Sequence, residues 1–388
     1  MALNSDALDG QNEALDVTDN DARVMNSLMA CDTPNADAVD RLCAHLAKLA
    51  PNYRTTQDWP SESLAACANA GVFRWFLPPA IGGMGAIGGM GWSEADQVRG
   101  YLRLAAADLT TTFVITQFMG ACKRIATSDN PVPKQRYLQD LLAGNLFATV
   151  GISHLTTSSR HLGAPALQAA RDGDGFRLSG ISPWVTGGSA ADVIVLAATL
   201  DDGQELLAAV PTDTPGIVCG PGTELVALSA SRTDRVTLTN VFVPTEMLIA
   251  GPMHGVMKSG TGAGTGGLQT STLAAGLSRA AVDYLVAESI KRDDLKASAE
   301  QLDQQTMALC ESLISAASGE KCDAGELRGR ANRLVMRTTQ AAMTAAKGAG
   351  YVASHPVGRW CREALFFLVW SCPQPVANEH LCELAGIE

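Results

Sequence analysis

The spacing of apolar residues changes twice along the chain, and this change constrains the fold more than any other feature. Between residues 37 and 145, apolar residues such as Val39 and Leu42 recur at helical spacing, which is typical of amphipathic helices. From 146 to 252, short β-rich runs alternate with turn signals, which indicates strands. Helical spacing returns within 253–388. The sequence therefore predicts an α+β fold: an N-terminal helical domain, a middle antiparallel β domain and a C-terminal four-helix bundle.

Local end signals refine this outline. The polar, acidic segment 1–36 shows no periodicity and is predicted to be a disordered lead. Asp108 and Asp323 stand where a carboxylate can accept from the first turn of a following helix, and Pro60 is predicted to occupy the first position of another. Asp172-Gly173-Asp174-Gly175 predicts a hairpin turn. The predicted strands are 148–152, 175–178, 193–198, 206–210 and 236–238.

Composition limits the classes of function. The chain carries 29 basic and 40 acidic residues, a net charge of −11, which argues against binding to nucleic acid. It shows no secretory leader pattern and no apolar run long enough for a membrane span. The ten cysteines form no CxxC pair and the six histidines are dispersed. These patterns predict a cytoplasmic protein with reduced, mostly buried thiols and no metal site.

Four segments in a fixed order carry recognisable motifs. The first is Ser182–Asp192, with the sequence SPWVTGGSAAD, and the second is Arg232–Pro244, which ends in VFVP. The third is Ala281–Arg292, which begins AVD, and the fourth is Gly350–Ala364, which ends in REA. They resemble the K-x-W-I-T-N-G-x-x-A-D, V-x-V-P, A-L-D and R-D-A motifs of the acyl-CoA dehydrogenases. The resemblance covers residues 37–388 and implies the same order of helices, sheet and bundle.

The resemblance implies an FAD site at the end of a strand. Trp184 matches a tryptophan that packs on the isoalloxazine ring, and Thr186 matches a threonine that hydrogen-bonds near the reactive flavin nitrogen. An indole offers a flat apolar wall and a hydroxyl can tune the ring. His154 stands where the family has a flavin-contacting threonine, with Ser153 and Thr156 as alternatives beside it. The other interpretation is a core tryptophan and a structural histidine.

The resemblance also implies a phosphate contact and an oligomer. Arg292 matches the arginine that reaches the flavin pyrophosphate of a neighbouring subunit, so a homodimer or homotetramer is expected. The alternative is that Arg292 ends a helix in solvent. The family's Q-x-x-G-G turn is replaced by residues 344–348 (TAAKG), where Lys347 could supply charge.

The family's catalytic carboxylate has no counterpart at the matching positions. Ser371 stands where the family has the glutamate that removes an α-proton, and a hydroxyl is too weak a base for that step. The alternative family position falls near Gly266. Either another residue, such as His154, His380 or Glu379, supplies the proton chemistry, or the reaction differs.

Three functions follow from these residues. The first is an FAD-binding oxidoreductase acting on a small molecule, either an acyl-CoA or another substrate. The second is a flavin-dependent monooxygenase on the same fold, and the third is a non-catalytic binding or scaffold protein. The segment 372–375 (CPQP) is predicted to break the helix 357–370. Its Cys372 is either a redox-active thiol or a buried inert one.

Overall fold

Helices form the first part of the chain. The structure is a computed structural model that describes residues 33–34, 36–79, 88–156, 165–258 and 267–387. The disorder predicted for residues 1–36 therefore falls almost wholly outside the described residues. In the part of the chain that the structure describes, the first five helices are α1 Asp37–Leu49, α2 Ser61–Asn69, α3 Glu94–Ala107, α4 Leu109–Thr127 and α5 Pro131–Ala143.

The predicted helix caps are confirmed, with one shift. The carboxylate of Asp108 accepts from the Thr111 backbone N–H at 3.3 Å at the start of α4. Pro60 precedes α2 as its N-cap and does not form its first residue. The helix ends at Asn69, because Gly71 follows in the left-handed conformation (φ +79°) that terminates many helices.

A single sheet of eight strands follows. The strands are β1 Ala148–Gly151, β2 Leu167–Asp172, β3 Gly175–Val185, β4 Val193–Leu200, β5 Glu205–Pro211, β6 Ile217–Cys219, β7 Asp234–Pro244 and β8 Leu248–Met253. Their order is β6-β7-β3-β2-β4-β5-β8, and β1 pairs with β4. The hairpin predicted at 172–175 joins β2 to β3, with Asp172 paired to Gly175. A short helix, α6 Ser153–Thr156, lies between β1 and β2.

The predicted α+β class is confirmed, but the sheet is mixed. Strands β1 and β2 both run parallel to β4, whereas the remaining pairs are antiparallel. The physical reason is that β1 and β2 reach β4 through longer connections and not through a hairpin turn. Strands β2, β6 and β8 lie outside the predicted runs.

Helices return after the sheet. They are α7 Leu268–Ser289, α8 Lys296–Ala317, α9 Ala324–Gly350, α10 Pro356–Ala364 and α11 Gln374–Ala385. Asp323 caps α9 as predicted, accepting from the Gly325 N–H at 2.8 Å. The prediction that 357–370 is one helix is wrong, since α10 ends at Ala364 and a 3-10 turn, Leu365–Leu368, follows. The prediction that the segment 372–375 breaks this helix is also wrong, since α10 has already ended at Ala364. The segment instead begins α11, with Pro375 in its first turn, a position that suits proline.

Helix α4 links the helical parts to the sheet. Its side chains are buried along most of its length, and it packs against β1. One contiguous set of buried side chains extends from α1 through the sheet to the 3-10 turn after α10. Among the described helices, none is long and apolar enough to cross a membrane.

Candidate functional site

The next-to-last residue of strand β3, Trp184, is exposed. The pairing of β3 with β7 shifts register between Ser182 and Val185, and Trp184 within this irregularity has a φ of +55°. A large side chain rarely adopts positive φ, because Cβ approaches its own backbone. The indole is 63% exposed. The interpretation of Trp184 as a core residue is therefore wrong.

Thr186 anchors the strand end through a chain of buried hydroxyl groups. Its Oγ1 lies 2.9 Å from Thr233 Oγ1, which lies 2.9 Å from Ser231 Oγ. The Thr149 hydroxyl donates to the Thr186 carbonyl at 2.7 Å. Because Thr186 is itself buried, its hydroxyl lies inside the protein and holds β3 against its neighbours.

His154 lies on α6 beside the same strand end. Its Nε2 donates to the Ala197 carbonyl of β4 at 3.0 Å, so the proton of the neutral ring is on Nε2 and Nδ1 is an acceptor. Ser153 donates from Oγ to the Pro183 carbonyl at 2.5 Å, which ties α6 to the residue before Trp184. The structure thus places Thr186 and the segment of Ser153 and His154 at the strand end that carries Trp184, with the His154 side chain buried against β4.

An open cleft lies next to this strand end. It has a volume of about 550 Å³ and is lined by β6 and β7, including Cys219, Asp234 and Arg235. Strand β7 pairs with β3, and Asp234 lies opposite Val185, so the cleft begins one residue from Trp184. The Asp234 carboxylate already accepts from the N–H of Arg235 at 2.7 Å and of Gly222 at 3.2 Å.

The turn after Thr186 requires glycine. Gly187 has a φ of +67°, and a Cβ at this position would lie 2.6 Å from the Trp59 ring. Trp59 packs edge-to-face on Phe147 with 5.3 Å between ring centroids, and Phe147 stacks on Phe118 of α4 at 5.4 Å. These aromatic contacts fix the strand end on α4.

Arg292 lies in a second place, beyond the end of α7. Its Nη1 donates to the Ala345 carbonyl of α9 at 2.7 Å, and its Nη2 pairs with Asp294 at 3.3 Å. Helix α9 is kinked just after this contact, because Lys347 has φ +53° and ψ −142°. The structure therefore joins Arg292 to the segment 344–348. Arg292 is not in a terminal helical turn, since α7 ends at Ser289.

Ser371 lies in a third place, after the 3-10 turn. It is exposed with a φ of +46°, and the preceding Trp370 stacks on Phe366 with 4.9 Å between centroids. Trp370 also meets Phe113 of α4 edge-on at 5.0 Å. Phe113 and Phe118 are five residues apart on one helix, about 7.5 Å along its axis. Helix α4 thus supports both the Trp184 and the Ser371 regions.

Glu379 and His380, which were also considered as bases, both lie on α11. Glu379 on α11 pairs with Arg333 at 3.0 Å, and His380 lies 3.8 Å from Glu383. Both belong to a surface network between α9 and α11. Gly266 lies outside the described residues. Of the three residues considered as bases, only His154 lies on a segment that is hydrogen-bonded to the residue before Trp184.

A buried ionisable cluster joins α4 and α10. Burial raises the pKa of Glu363 to about 7, against the attraction of Arg359, whose Nε lies 3.4 Å from Glu363 Oε1. Burial also raises the pKa of Asp108 above its ordinary value. Sequence reasoning identified Asp108 only as a cap and missed this cluster, although the Arg359-x-x-Arg362-Glu363 pattern is a signal that could have pointed to it.

The cysteines and the possible metal ligands are spread over the described residues. The described cysteines form no disulfide, but only Cys67 and Cys122 are buried, so the prediction of mostly buried thiols is wrong. Cys372 is half-buried, against its interpretation as a buried thiol. Within the described ranges, no group of three or more metal-ligating side chains comes together.

Comparison with known proteins gives relatives of low identity. No protein-family model matches the chain. A probable acyl-CoA dehydrogenase of Bacillus subtilis is 27% identical over 164 residues, 41% of this chain and 43% of that protein. The cyclohex-1-ene-1-carbonyl-CoA dehydrogenase of Geobacter metallireducens is 25% identical over 329 residues, 79% of this chain and 84% of that enzyme. The chain thus spans less than half of the first relative and most of the second.

Solved structures share the fold. FkbI, described for biosynthesis of a methoxymalonyl extender unit, has a TM-score of 0.75 at 18% identity, covering 89% of this chain and 98% of that one. Butyryl-CoA dehydrogenase from Megasphaera elsdenii has a TM-score of 0.71 at 19% identity, covering 94% and 98%. The dibenzothiophene monooxygenase of Paenibacillus has a TM-score of 0.69 at 14% identity, covering 89% and 95%. These neighbours confirm the predicted three-part fold.

Proposed function

We propose that this protein, which its relatives assign to the acyl-CoA dehydrogenase family, is an FAD-binding oxidoreductase of a small-molecule substrate. The observation that carries the proposal is Trp184, an indole held on the surface at positive φ. Backbone strain of this kind is found where a site needs a side chain in one fixed place. The next residue, Val185, pairs with Asp234 of the cleft, and the preceding residue, Pro183, accepts a hydrogen bond from Ser153 of the segment that carries His154.

The chain's residues fit the ring half of FAD. The Trp184 indole offers a flat apolar face, and the hydroxyl chain through Thr186 and Thr233 keeps that strand end rigid. The Thr186 hydroxyl is used inside the protein, so in this proposal Thr186 supports the strand end that presents the indole. FAD, when bound, supplies a two-electron acceptor.

Arg292 fits the phosphate half. A guanidinium has five N–H donors, and here one nitrogen meets Ala345 and another meets Asp294, so donors remain for an anion. Lys347 projects from the kink that follows Ala345 and is exposed. We infer that Arg292 and Lys347 together hold the pyrophosphate of a flavin bound by another copy of the chain.

His154 is the side chain that we propose for proton transfer. Its neighbour Ser153 is hydrogen-bonded to Pro183, the residue before Trp184, and its own ring is held by the hydrogen bond from Nε2 to Ala197. An imidazole can exchange a proton near neutral pH, which Ser371 cannot do. Glu379 and His380 lie instead in the network on the surface of α11.

A second reaction on the same site is monooxygenation. Ser371 replaces the carboxylate that α,β-dehydrogenation needs, and one structural neighbour is described as a dibenzothiophene monooxygenase. In this alternative, a bound flavin would supply the oxygen activation, and the chain would need no carboxylate base. The observation at Ser371 favours it, while the sequence relatives favour dehydrogenation.

Spectroscopy of the purified protein tests both reactions. We expect a flavin absorbance band that survives desalting after FAD is added, and weaker FAD binding in Trp184→Gly than in Trp184→Phe, which keeps an aromatic wall. Anaerobic bleaching by butyryl-CoA or octanoyl-CoA would identify a dehydrogenase. Oxygen uptake that requires reduced flavin, without such bleaching, would identify a monooxygenase. Absence of FAD binding would overturn both and leave a binding or scaffold role.

A further inference from the structure

Arg232 connects the sheet to the segment between α1 and α2. Its Nε donates to the Thr56 carbonyl at 2.8 Å, and its Nη2 donates to the Gln57 carbonyl at 3.3 Å. The central carbon of its guanidinium lies 5.8 Å from the centroid of the Trp59 ring, which is a cation–π distance. A single side chain of the sheet region therefore holds the segment 56–59.

The backbone of Arg232 is strained. Its φ is +48°, in the left-handed region that residues with a Cβ seldom occupy. It ends the 3-10 turn Ser229–Ser231, and a Cβ at Gly222 would lie 3.0 Å from its Cα, so Gly222 packs closely on it. Such strain persists where surrounding contacts fix a residue. The contacts of the guanidinium give a reason for an arginine at a position whose backbone conformation suits glycine.

Arg232 also lies between two residues of the buried hydroxyl chain. Ser231 precedes it and Thr233 follows it, and their hydroxyl oxygens are 2.9 Å apart. The Thr233 hydroxyl is also 2.9 Å from that of Thr186, and the Ser231 carbonyl accepts from the Gly187 N–H at 2.9 Å. The residues on both sides of Arg232 thus hold the end of β3.

The Trp59 ring closes this set of contacts. It packs on Gly187 so closely that a Cβ there would lie 2.6 Å from the ring, while Arg232 lies over the same ring. Gly187 in turn donates to Ser231, the residue before Arg232, so the contacts form a closed circle. Trp184 lies three residues before Gly187, on the strand end that this circle of contacts holds.

Glu224 makes a separate contact with the same segment. Its Oε1 accepts from the Thr56 N–H at 3.1 Å and from the Thr56 hydroxyl at 2.9 Å. Both of these bonds end at Thr56, whereas Arg232 reaches the Trp59 ring as well. Variants at Glu224 and Arg232 can therefore distinguish simple attachment of the segment from placement of the ring.

We propose that Arg232 is a positioning residue that holds the Trp59 ring in place and thereby fixes the end of β3 that presents Trp184. The importance of this role for flavin binding rests on the proposed function. A guanidinium suits the task, because its planar set of N–H donors can reach two carbonyls while its face lies over an indole. An ammonium group has the charge without that shape. In this arrangement, the N-terminal helical part of the chain contributes to the site through Trp59.

Fluorine NMR of the ligand-free protein, labelled with fluorotryptophan, tests the positioning directly. The chain has six tryptophans, and the variants Trp59→Phe and Trp184→Phe assign the two resonances that matter. We expect Arg232→Met to shift or broaden both, because the Trp59 ring loses its guanidinium and the strand end loses its support. Arg232→Lys should give a smaller change, since it keeps a cation over the ring. Glu224→Gln should leave the Trp184 resonance in place.

FAD titration tests the consequence for the proposed flavin site. Arg232→Met should weaken FAD binding roughly tenfold, and Arg232→Lys should restore part of the affinity. Glu224→Gln should bind FAD as the wild type does, although urea denaturation should show that Arg232→Met and Glu224→Gln are both less stable. A merely structural role of Arg232 would lower the stability without this difference in FAD affinity.

The NMR and FAD measurements separate this inference from the proposed function. A Trp184 resonance that is the same in Arg232→Met as in Glu224→Gln would overturn the positioning role. If Arg232→Met does not fold, Arg232→Gly replaces it in the same comparison, because glycine adopts a φ of +48° without strain. A wild-type protein that binds no FAD would overturn the proposed function and not this inference, since the NMR comparison needs no flavin.

Discussion

Trp184 combines a strained backbone conformation with an exposed indole. A non-glycine residue in the left-handed region costs roughly 1–2 kcal/mol, and Trp184 has a φ of +55°. The exposed indole recovers little of this through packing, because most of its surface faces solvent. The conformation is understandable if the ring serves a ligand, as the proposed flavin site requires.

Glycine at position 184 should separate strain from binding. We expect Trp184→Gly to be more stable than Trp184→Ala by about 1 kcal/mol, since only alanine keeps a Cβ at positive φ. Both variants should bind FAD more weakly than Trp184→Phe. Urea denaturation of the ligand-free proteins and FAD titration measure the two effects. Equal stability of the glycine and alanine variants would show that the backbone at 184 relaxes.

At the scale of helices, α4 and α10 are joined through a buried ionisable cluster. Asp108 caps α4 and Glu363 lies on α10. The positive charge of Arg359 acts on both carboxylates and lowers the pKa of each, against the effect of burial. Burial raises the pKa of both acids. The contact therefore depends on pH in the direction opposite to that of an ordinary surface ion pair.

The pH dependence of stability follows from Glu363. Its folded pKa is about 7, against 4.5 ordinarily, so between these values the unfolded chain releases a proton that the folded protein retains. Stability should fall as pH rises through this window and level off above it. Glu363→Gln should flatten the fall by on the order of 2 kcal/mol. Urea denaturation across this window measures it, with the exposed Glu300→Gln as control. An unchanged slope in Glu363→Gln would assign the dependence to other groups.

At the scale of the whole molecule, three exposed apolar residues lie close in the chain to the two segments that the Arg292 contact joins. Ile290 lies two residues before Arg292, and Tyr351 and Val352 follow the kinked end of α9 that Arg292 contacts. All three are exposed, Tyr351 by 89%. Exposed apolar groups beside a cation are typical of surfaces that meet another protein, which agrees with the expected homodimer or homotetramer.

A charge at this surface should affect assembly and cofactor together. We expect an oligomer at micromolar concentration by light scattering, and Tyr351→Glu should shift it toward monomer and lower FAD affinity at least about tenfold. Val226, an exposed apolar residue of the sheet region, gives the control Val226→Glu, which should change neither property. A wild-type monomer would contradict the proposed role of Arg292 across a subunit boundary.

Local patterns in the sequence were sufficient for most elements. Helical spacing and the caps Asp108 and Asp323 placed the long helices, because cap geometry and amphipathic periodicity depend on neighbouring residues. The strand β6 was missed, since three residues cannot display alternation. Helix α11 was missed because Pro373 and Pro375 predicted only an interruption, although proline also suits a helix start.

The sequence by itself determined the order of helices, sheet and helices, the motif around Trp184, and the serine at 371. Only the tertiary structure decided which distant groups meet, such as Arg292 with Ala345 and Trp370 with Phe113. The exposure of Trp184 and the inward direction of the Thr186 hydroxyl were also decided there. The physical reason is that periodicity and turn chemistry act over a few residues, whereas burial and the balance of charge depend on how whole elements pack.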